Sequence, residues 1–140
     1  MDAYFPFSFA QELELAVRLA IAAALGAIVG WERERAGKPA GVRTLALVSL
    51  GAALFTVVSA WAFGAAADPS RMAGGVVTGI GFIGGGVIFR TQNTIIGVAT
   101  ASSIWATAAI GVATGAGMYV VATVATTLVF VVLRFLPSND

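Results

Sequence analysis

The sequence predicts an all-α membrane protein, a compact bundle of about five transmembrane helices. The first observation behind this is composition: 59% of the 140 residues are hydrophobic, 11% are charged, and the mean hydropathy is +0.92, well outside the range of soluble domains. The second is the length of the uncharged runs, Thr44 to Ala67, Met72 to Phe89 and Thr91 to Leu133, when about 20 apolar residues cross a bilayer. Continuous runs of this kind favour helices over the alternating strands of a membrane barrel.

The last run is long enough for two crossings. As one helix it would measure about 65 Å, so a turn is predicted at Thr114-Gly115-Ala116-Gly117, where glycines free the backbone. The five predicted spans are residues 13–31, 44–63, 72–89, 96–113 and 118–136. They form a single transmembrane domain over residues 1–140, and no soluble C-terminal domain is expected.

The cationic residues predict the orientation of the bundle. With the N-terminus outside, only Arg18 and Arg71 lie on the outer side, and the positive-inside rule therefore favours an N-out, C-in arrangement. Six cationic residues then lie on the inner side: Arg33, Arg35, Lys38, Arg43, Arg90 and Arg134.

Several function classes lack support in the composition. The chain has no cysteine and no histidine, which excludes thiol chemistry and histidine-ligated metals. Its net charge of +1 gives no basic footprint for nucleic acid. The hydrolase, nucleotide-binding, redox and zinc-protease motifs are missing from the sequence, so neither an enzyme nor a cofactor is predicted.

The third span is unusually rich in glycine. On a helical projection Val76, Ile80, Ile83 and Val87 fall on one stripe, which we expect to face lipid. In lipid, helices associate through close backbone contact that glycine permits, so the opposite arc is expected to pack against other helices. That arc contains Gly74, Gly75, Gly79, Gly81, Gly84, Gly85 and Gly86, with Phe82 among them.

In the third span, Gly75/Gly79 and Gly81/Gly85 are four residues apart. Two further glycine pairs have this spacing, Gly26/Gly30 in the first span and Gly111/Gly115 at the end of the fourth. Packing is the favoured interpretation for all of these glycines. The alternative is a broken helix at 84–86 whose free carbonyl groups bind an ion, as in the discontinuous helices of transporters.

The fourth span carries a polar stripe of hydroxyl side chains. Trp105 lies near its middle, where an indole N–H needs an acceptor, and is expected to take part in packing. The hydroxyl groups are expected to bond to helix backbones rather than to line a substrate path. They belong to Thr100, Ser103, Thr107 and Thr114.

Ionisable residues at membrane depth usually mark function, and the central thirds of the spans contain none. Arg18 is the deepest; Glu14 stands four residues before it, and we interpret Arg18 as an interfacial anchor. The run 32–35 at the inner end of the first span is equally compatible with a solvated cluster and with an inner-surface network. Because Mg²⁺ prefers carboxylate oxygens, Glu32 is the candidate metal ligand. No carboxylate lies between the inner and outer ends of the spans to form a path for the ion.

The ordered motifs resemble the membrane domain of the MgtC/SapB family over nearly the whole chain. They are Gly30-Trp31-Glu32-Arg33, then Ala40-Gly41-Val42-Arg43-Thr44, then Asp68-Pro69 with Arg71, then the glycine segment 79–88, and finally Trp105 with Ala108-Ala109-Ile110-Gly111.

The resemblance implies a multi-pass protein of the bacterial inner membrane, from a virulence-associated family linked to adaptation to low magnesium and acid stress. It also implies action on membrane-protein partners, with the F-type ATP synthase as one example, and leaves Mg²⁺ transport open. Self-association is expected as well, with a dimer favoured. The family's charged motif positions map to Glu32, Arg33, Arg43, Asp68 and Arg71.

Two segments depart from the family pattern. Gly75 stands where a glutamine is common, and residues 97–102 differ from the GLTTAA-like segment of the family. Many members also continue into a cytoplasmic domain, so a membrane-domain-only member is expected here. The sequence thus leaves two hypotheses: a protein acting through helix packing with itself or partners, and a transporter or channel for Mg²⁺ or another cation.

Overall fold

The computed structural model describes residues 7–63 and 68–137, and within them the chain forms five helices and one short hairpin. The predicted all-α bundle is confirmed, with the hairpin as an addition. The helices are α1 (Phe9–Arg35), α2 (Val42–Trp61), α3 (Ser70–Gly85), α4 (Val98–Gly115) and α5 (Tyr119–Phe135), and the antiparallel strands β1 (Phe89–Arg90) and β2 (Ile95–Ile96) lie between α3 and α4.

Among the described helices, α1, α2 and α4 are long and apolar enough to cross a membrane, and α5 is a shorter apolar helix. Helix α3 has 16 residues, which is about 24 Å at 1.5 Å per residue. The predicted third span, 72–89, is therefore too long at its end, because the helix stops at the run of glycines and the chain enters the hairpin. The N-out orientation stays a prediction.

Two helix ends are built by glycines in the left-handed region. Gly37 (φ 67°) and Gly117 (φ 81°) follow α1 and α4. After α4, the amide of Gly117 donates to Thr114 and that of Met118 donates to Ala113, the pair of bonds that defines a Schellman end. The turn predicted at 114–117 is confirmed.

Helix α2 lies at the centre of the bundle, between α1 and α4. Gly26 of α1 meets Leu45 and Ser49 of α2, whereas Gly111 of α4 meets Ser49 and Ala52. Residue numbers rise together along α2 and α4 and in opposite directions along α1 and α2, so α2 and α4 are parallel and α1 is antiparallel to both. The buried apolar core follows these contacts and includes Val29, Leu45, Ala52, Ile80, Ile104 and Ile110.

The glycine pairs of α1 and α4 lie directly on the backbone of α2. A Cβ added at Gly30 would come 2.6 Å from Cα of Val42, and one added at Gly115 would come 2.6 Å from the carbonyl oxygen of Ala53. Corresponding overlaps arise at Gly26 and Gly111. These four positions admit no side chain without moving a helix.

The glycines of α3 behave differently, and the predicted facing of this helix is wrong except at Ile83, which is 49% exposed. Ile80 is buried and Val76 and Val87 pack against the core, because the branched side chains fill the space beside α2 and α4. Among the glycines of α3 only Gly84 is buried and touches another helix, with its added Cβ 3.7 Å from Ala101. The others meet nothing within 4 Å: Gly74, Gly75, Gly79, Gly81 and Gly85.

The sequence also predicts that Phe82, Trp105 and Gly86 pack against other helices, and within a single copy of the chain they do not. Phe82 and Trp105 are 88% and 56% exposed, so neither packs inside the bundle. Gly86, just past the end of α3, meets only the carbonyl groups of its own turn. The break in the broken-helix alternative is present, since α3 ends at Gly85, but the carbonyl oxygens of Gly84 and Gly85 are not free, because they accept the amides of Val87 and Ile88 at 3.2 Å.

The hairpin between α3 and α4 carries exposed apolar side chains beside a cation. Phe89 pairs with Ile96 and Arg90 with Ile95, and Phe89 is 61% exposed. The amide of Thr91 donates to the carbonyl of Thr94 and closes the turn. Apolar side chains next to an arginine suit the membrane interface.

Candidate functional site

A buried polar centre lies where the end of α1 meets the start of α4. It consists of Glu32, Arg33 and Thr100, which are 3%, 2% and 1% exposed. Arg33 Nη2 donates to Thr100 Oγ1 at 3.2 Å, and Arg33 Nη1 lies 4.0 Å from Glu32 Oε2. A carboxylate and a guanidinium are thus held together inside the bundle.

Two buried atoms of the polar centre have no hydrogen-bond partner among the described residues, Glu32 Oε2 and Arg33 Nε. Burying charged groups costs several kcal/mol unless they are paired and hydrogen-bonded. Leaving one acceptor and one donor of this buried pair without a hydrogen bond is therefore costly. The arrangement can therefore hold a small polar species, or it can fix the relative position of α1 and α4.

The charge run that begins at Glu32 is divided between the interior and the surface. Glu34 Oε2 accepts the amide of Val42 at 3.0 Å and so ties α1 to the start of α2. Arg35 lies 4.8 Å from the ring centroid of Trp31, within cation–π range. The two sequence interpretations, network and solvated cluster, each describe part of the run.

The hydroxyl stripe of α4 bonds to its own helix, in line with the favoured interpretation. Ser103 donates to the carbonyl of Thr100 at 2.7 Å, and Thr107 donates to that of Ser103 at 2.7 Å. Ser49 of α2, buried at the contact with Gly111, has a side-chain oxygen without a partner in the described structure. The stripe therefore belongs to the packing of the bundle.

Arg18 joins α1 to the end of α4. Its Nη1 donates to the carbonyl of Gly115 at 3.0 Å, and its Nη2 donates to Glu14 at 2.5 Å. A cation at the C-terminal carbonyls of a helix is favoured by the helix dipole. The anchor predicted from sequence is thus also a helix-end contact to α4.

The charged residues of the motif do not converge on one site. Asp68 Oδ1 accepts the amide of Ser70 at 2.9 Å; hydrogen bonds from Ser70 lower the pKa of Asp68, with a smaller contribution from the nearby charge of Arg71. Arg43, at the start of α2, lies at the opposite end of the bundle from this pair. In residues 7–63 and 68–137 there is no group of three or more Asp, Glu, His or Cys side chains that could hold a metal ion.

One face of α3, which we call the outer face, points away from the other helices. It contains Gly74, Thr78, Gly81 and Gly85, spaced i, i+4, i+7 and i+11, with Phe82 beside them. Thr78 donates to the carbonyl of Gly74 at 3.2 Å, so its hydroxyl is satisfied within the helix. The result is a smooth helix surface with one projecting aromatic ring.

A groove of about 830 Å³ separates α2 from α3. Its floor is apolar and includes Val48, Ile80 and Ala108, while Arg43 and Arg71 lie at its two ends. Gly75 and Gly79 form part of its α3 wall, on the side of the helix next to the outer face. A second apolar groove of about 690 Å³ lies between α1 and α5, beside Trp31.

Residues 19–139 match the family model described as the MgtC family. The chain belongs to the MgtC family. The resemblance of its motifs to MgtC/SapB proteins is thereby confirmed.

Three curated relatives illustrate the relationship. A protein of Escherichia coli strain K12 named "Putative magnesium transporter YhiD" is 46% identical over 113 residues, covering 76% of this chain and 53% of that protein. Protein MgtC of Brucella abortus strain 2308 is 43% identical over 114 residues, with coverages of 81% and 48%. Protein SapB of Bacillus subtilis strain 168 is 35% identical over 132 residues, with coverages of 89% and 57%.

The chain spans about half the length of the curated relatives it matches. No solved structure matches it. The MgtC-family assignment thus comes from sequence, and the arrangement of its residues comes from the structure described above.

The sequence does not reveal the positions of two buried polar residues, Thr100 of the polar centre and Ser49 of α2. Thr100 is predicted as part of a hydroxyl stripe, but its role as the partner of Arg33 depends on α1 and α4 packing side by side, with the end of α1 beside the start of α4. Ser49 gives no signal at all in a run of small apolar residues. Both contacts join residues more than one helix apart along the chain, which local patterns do not reveal.

Proposed function

We propose that this MgtC-family protein acts in bacterial adaptation to low magnesium or acid stress by binding other membrane helices, first of all a second copy of itself. It does so in the bacterial inner membrane. Other membrane proteins, with the F-type ATP synthase as the example implied by the family, are candidate further partners. The observation that carries the proposal is the outer face of α3, on which glycines meet no neighbour.

In an isolated chain, glycine on a lipid-facing helix surface destabilises the helix and makes no compensating contact. It lowers helix propensity by about 1 kcal/mol per position relative to alanine. A second helix changes this balance, since small residues at four-residue spacing let two backbones approach and gain van der Waals contact. The outer face repeats that spacing at Gly74/Thr78 and at Gly81/Gly85.

Phe82 supports the same interpretation. Its ring is 88% exposed next to Gly81 and Gly85, and aromatic side chains are enriched at protein interfaces. A ring that projects beside a smooth glycine surface is suited to pack against a partner helix. Association through α3 would cover both features at once.

The experiment compares growth with association for the same variants. A bacterium lacking its own family member is supplied with the wild type, Gly81→Leu, Gly85→Leu or the control Ala24→Leu, which introduces the same side chain at an exposed position of α1. We expect both glycine variants to lose growth in low-magnesium medium and to dissociate at least about tenfold more readily in detergent, about 1.4 kcal/mol. Equal behaviour of all three variants would contradict the proposal.

Transport of Mg²⁺ or another cation is the second candidate, favoured by the name of the E. coli relative and by the buried Glu32 Oε2, which has no hydrogen-bond partner among the described residues. The adjacent Arg33 opposes it, because a guanidinium disfavours a second cation nearby. Flux into protein-containing vesicles distinguishes the two. Mg²⁺ uptake that is lost in Glu32→Gln and unchanged in Gly85→Leu would replace the proposed function with transport.

A further inference from the structure

We propose that the groove between α2 and α3 binds an anionic phospholipid, with the phosphate at Arg43 and the acyl chains along the groove. This is a separate property from association through the outer face of α3, because it uses the neighbouring side of that helix and the facing side of α2. The two can fail independently.

The groove has the shape and lining of a site for an acyl chain. Its volume of about 830 Å³ lies within the range of about 300–1,000 Å³ that small-molecule sites occupy. The floor is formed by Val48, Ala52, Ile80 and Ala108, all of them apolar. Gly51, Gly75 and Gly79 along its walls carry no side chain that would close it.

Charge selects the headgroup. The described residues that line the groove include two arginines and no acidic residue. Arg43 stands with Thr44 at the first turn of α2, whose N-cap, Gly41, contributes no side-chain hydrogen bond. A guanidinium forms paired hydrogen bonds to phosphate oxygens, and the first turn of a helix favours an anion.

The two ends of the groove are not equivalent. Arg71 has Asp68 near it, and the two charges interact, so an anion is opposed there. At the other end the nearest carboxylate, that of Glu34, accepts the amide of Val42 on the side of α2 that faces α1 and α5. The phosphate is therefore assigned to Arg43, and the acyl chains extend from there toward Arg71.

The depth of the groove fits this placement. Arg43 begins α2 and Arg71 begins α3, and Ser59 near the end of α2 donates to the carbonyl of Pro69 at 2.9 Å. Arg43 lies about 24 Å along α2 from Ser59 at 1.5 Å per residue, and Arg71 lies two residues beyond Pro69 on the returning helix, so the two arginines are about 21 Å apart along the helices. That places each near one boundary of a hydrocarbon layer of about 30 Å.

The test is lipid binding to the purified chain by native mass spectrometry, with phosphatidylglycerol and phosphatidylcholine of identical acyl chains. We expect the wild type to bind the anionic lipid about fivefold more tightly, the effect of one arginine at the membrane surface. Arg43→Gln should remove that preference by weakening phosphatidylglycerol binding more than phosphatidylcholine binding. Arg90→Gln, a control at the same end of the bundle outside the groove, should keep it.

A second variant tests the groove itself. Gly79→Leu places a side chain into open space and should weaken binding of both lipids while the helical content and the monodisperse state are retained. Gly81→Leu, on the outer face, should leave lipid binding intact.

Equal binding of the two lipids by the wild type would overturn the proposal. So would an equal loss of preference in Arg90→Gln and Arg43→Gln. If Gly79→Leu abolished self-association and left lipid binding unchanged, the groove would be an interface for a second copy instead, and the lipid site would be wrong.

Discussion

The glycines of α1 and α4 and those of α3 share one sequence pattern and occupy opposite environments. Gly26, Gly30, Gly111 and Gly115 lie on the backbone of α2, where an added Cβ would overlap it. Along α3 every glycine except Gly84 is open. Small-residue spacing therefore indicates that a helix can be approached closely, but not whether the approaching helix belongs to the same chain.

The difference has a cause in the side chains beside the glycines. Val76 and Ile80 of α3 face small residues such as Ala52 and Ala108, and branched side chains gain more dispersion contact in that space than a glycine surface would. Burying them turns the glycines outward.

The largest expected effect comes from adding a side chain to one buried glycine of α4 and, for comparison, to one open glycine of α3. Gly111→Val should lower the free energy of unfolding by about 3 kcal/mol or more, because its Cβ meets the carbonyl of Ser49. Gly75→Val enters open space and should change stability by less than about 1 kcal/mol. Reversible unfolding in mixed detergent micelles measures both, and similar losses would show that the two sets are equivalent.

The packing of α1 and α4, which carry the buried glycines, can also be tested at the polar centre, because the polar centre joins these two helices. Arg33→Met leaves Glu32 buried without its neighbouring cation and should cost about 2–3 kcal/mol, in the lower range for breaking buried pairs, because the two groups are 4.0 Å apart. Arg35→Met, at the exposed end of α1, should cost under about 0.5 kcal/mol. Melting temperatures of the two variants provide the measurement, and an equal drop would mean that burial of Arg33 has no energetic role.

The smallest expected effect concerns the start of α3. Because hydrogen bonds from Ser70 lower the pKa of Asp68 in the folded chain below its ordinary value of 3.8, the stabilisation by Asp68 is present above that value and is lost as the pH falls through the lowered one. Asp68→Asn should therefore be less stable than the wild type near neutral pH. Melting curves in steps from about pH 6 to about pH 3 should show the gap closing, and a gap that widens in acid would contradict the assignment.

Much of the architecture follows from local sequence, since charges and caps punctuate the helices. The uncharged runs after Arg43 and Arg71 and the glycines at 115 and 117 place α2, α3 and α4 within a few residues of their observed limits. The end of α3 and the hairpin at 89–96 were missed, because this segment contains only Arg90 as a charge and reads as a continuation of the span.

The candidate site was less accessible to prediction. Glu32 and Arg33 stand next to each other in the sequence, yet their burial depends on the start of α4 covering them, with Thr100 in reach. Facing was wrong for α3 because periodicity gives two opposite arcs and does not say which one meets protein. Only the partners Ala101, Ala108 and Ala52 decide that, and they belong to other helices.

Cysteine cross-linking in native membranes tests the central claim most directly, since the chain contains no cysteine of its own. A disulfide requires Cα atoms within about 7 Å, so only residues that meet a second copy can form one. The account predicts that Gly81→Cys and Gly85→Cys yield covalent dimers under mild oxidation, and that Ala24→Cys, exposed on α1, yields few. If the α3 variants stay monomeric while Ala24→Cys cross-links, the open glycines are not an interface between copies.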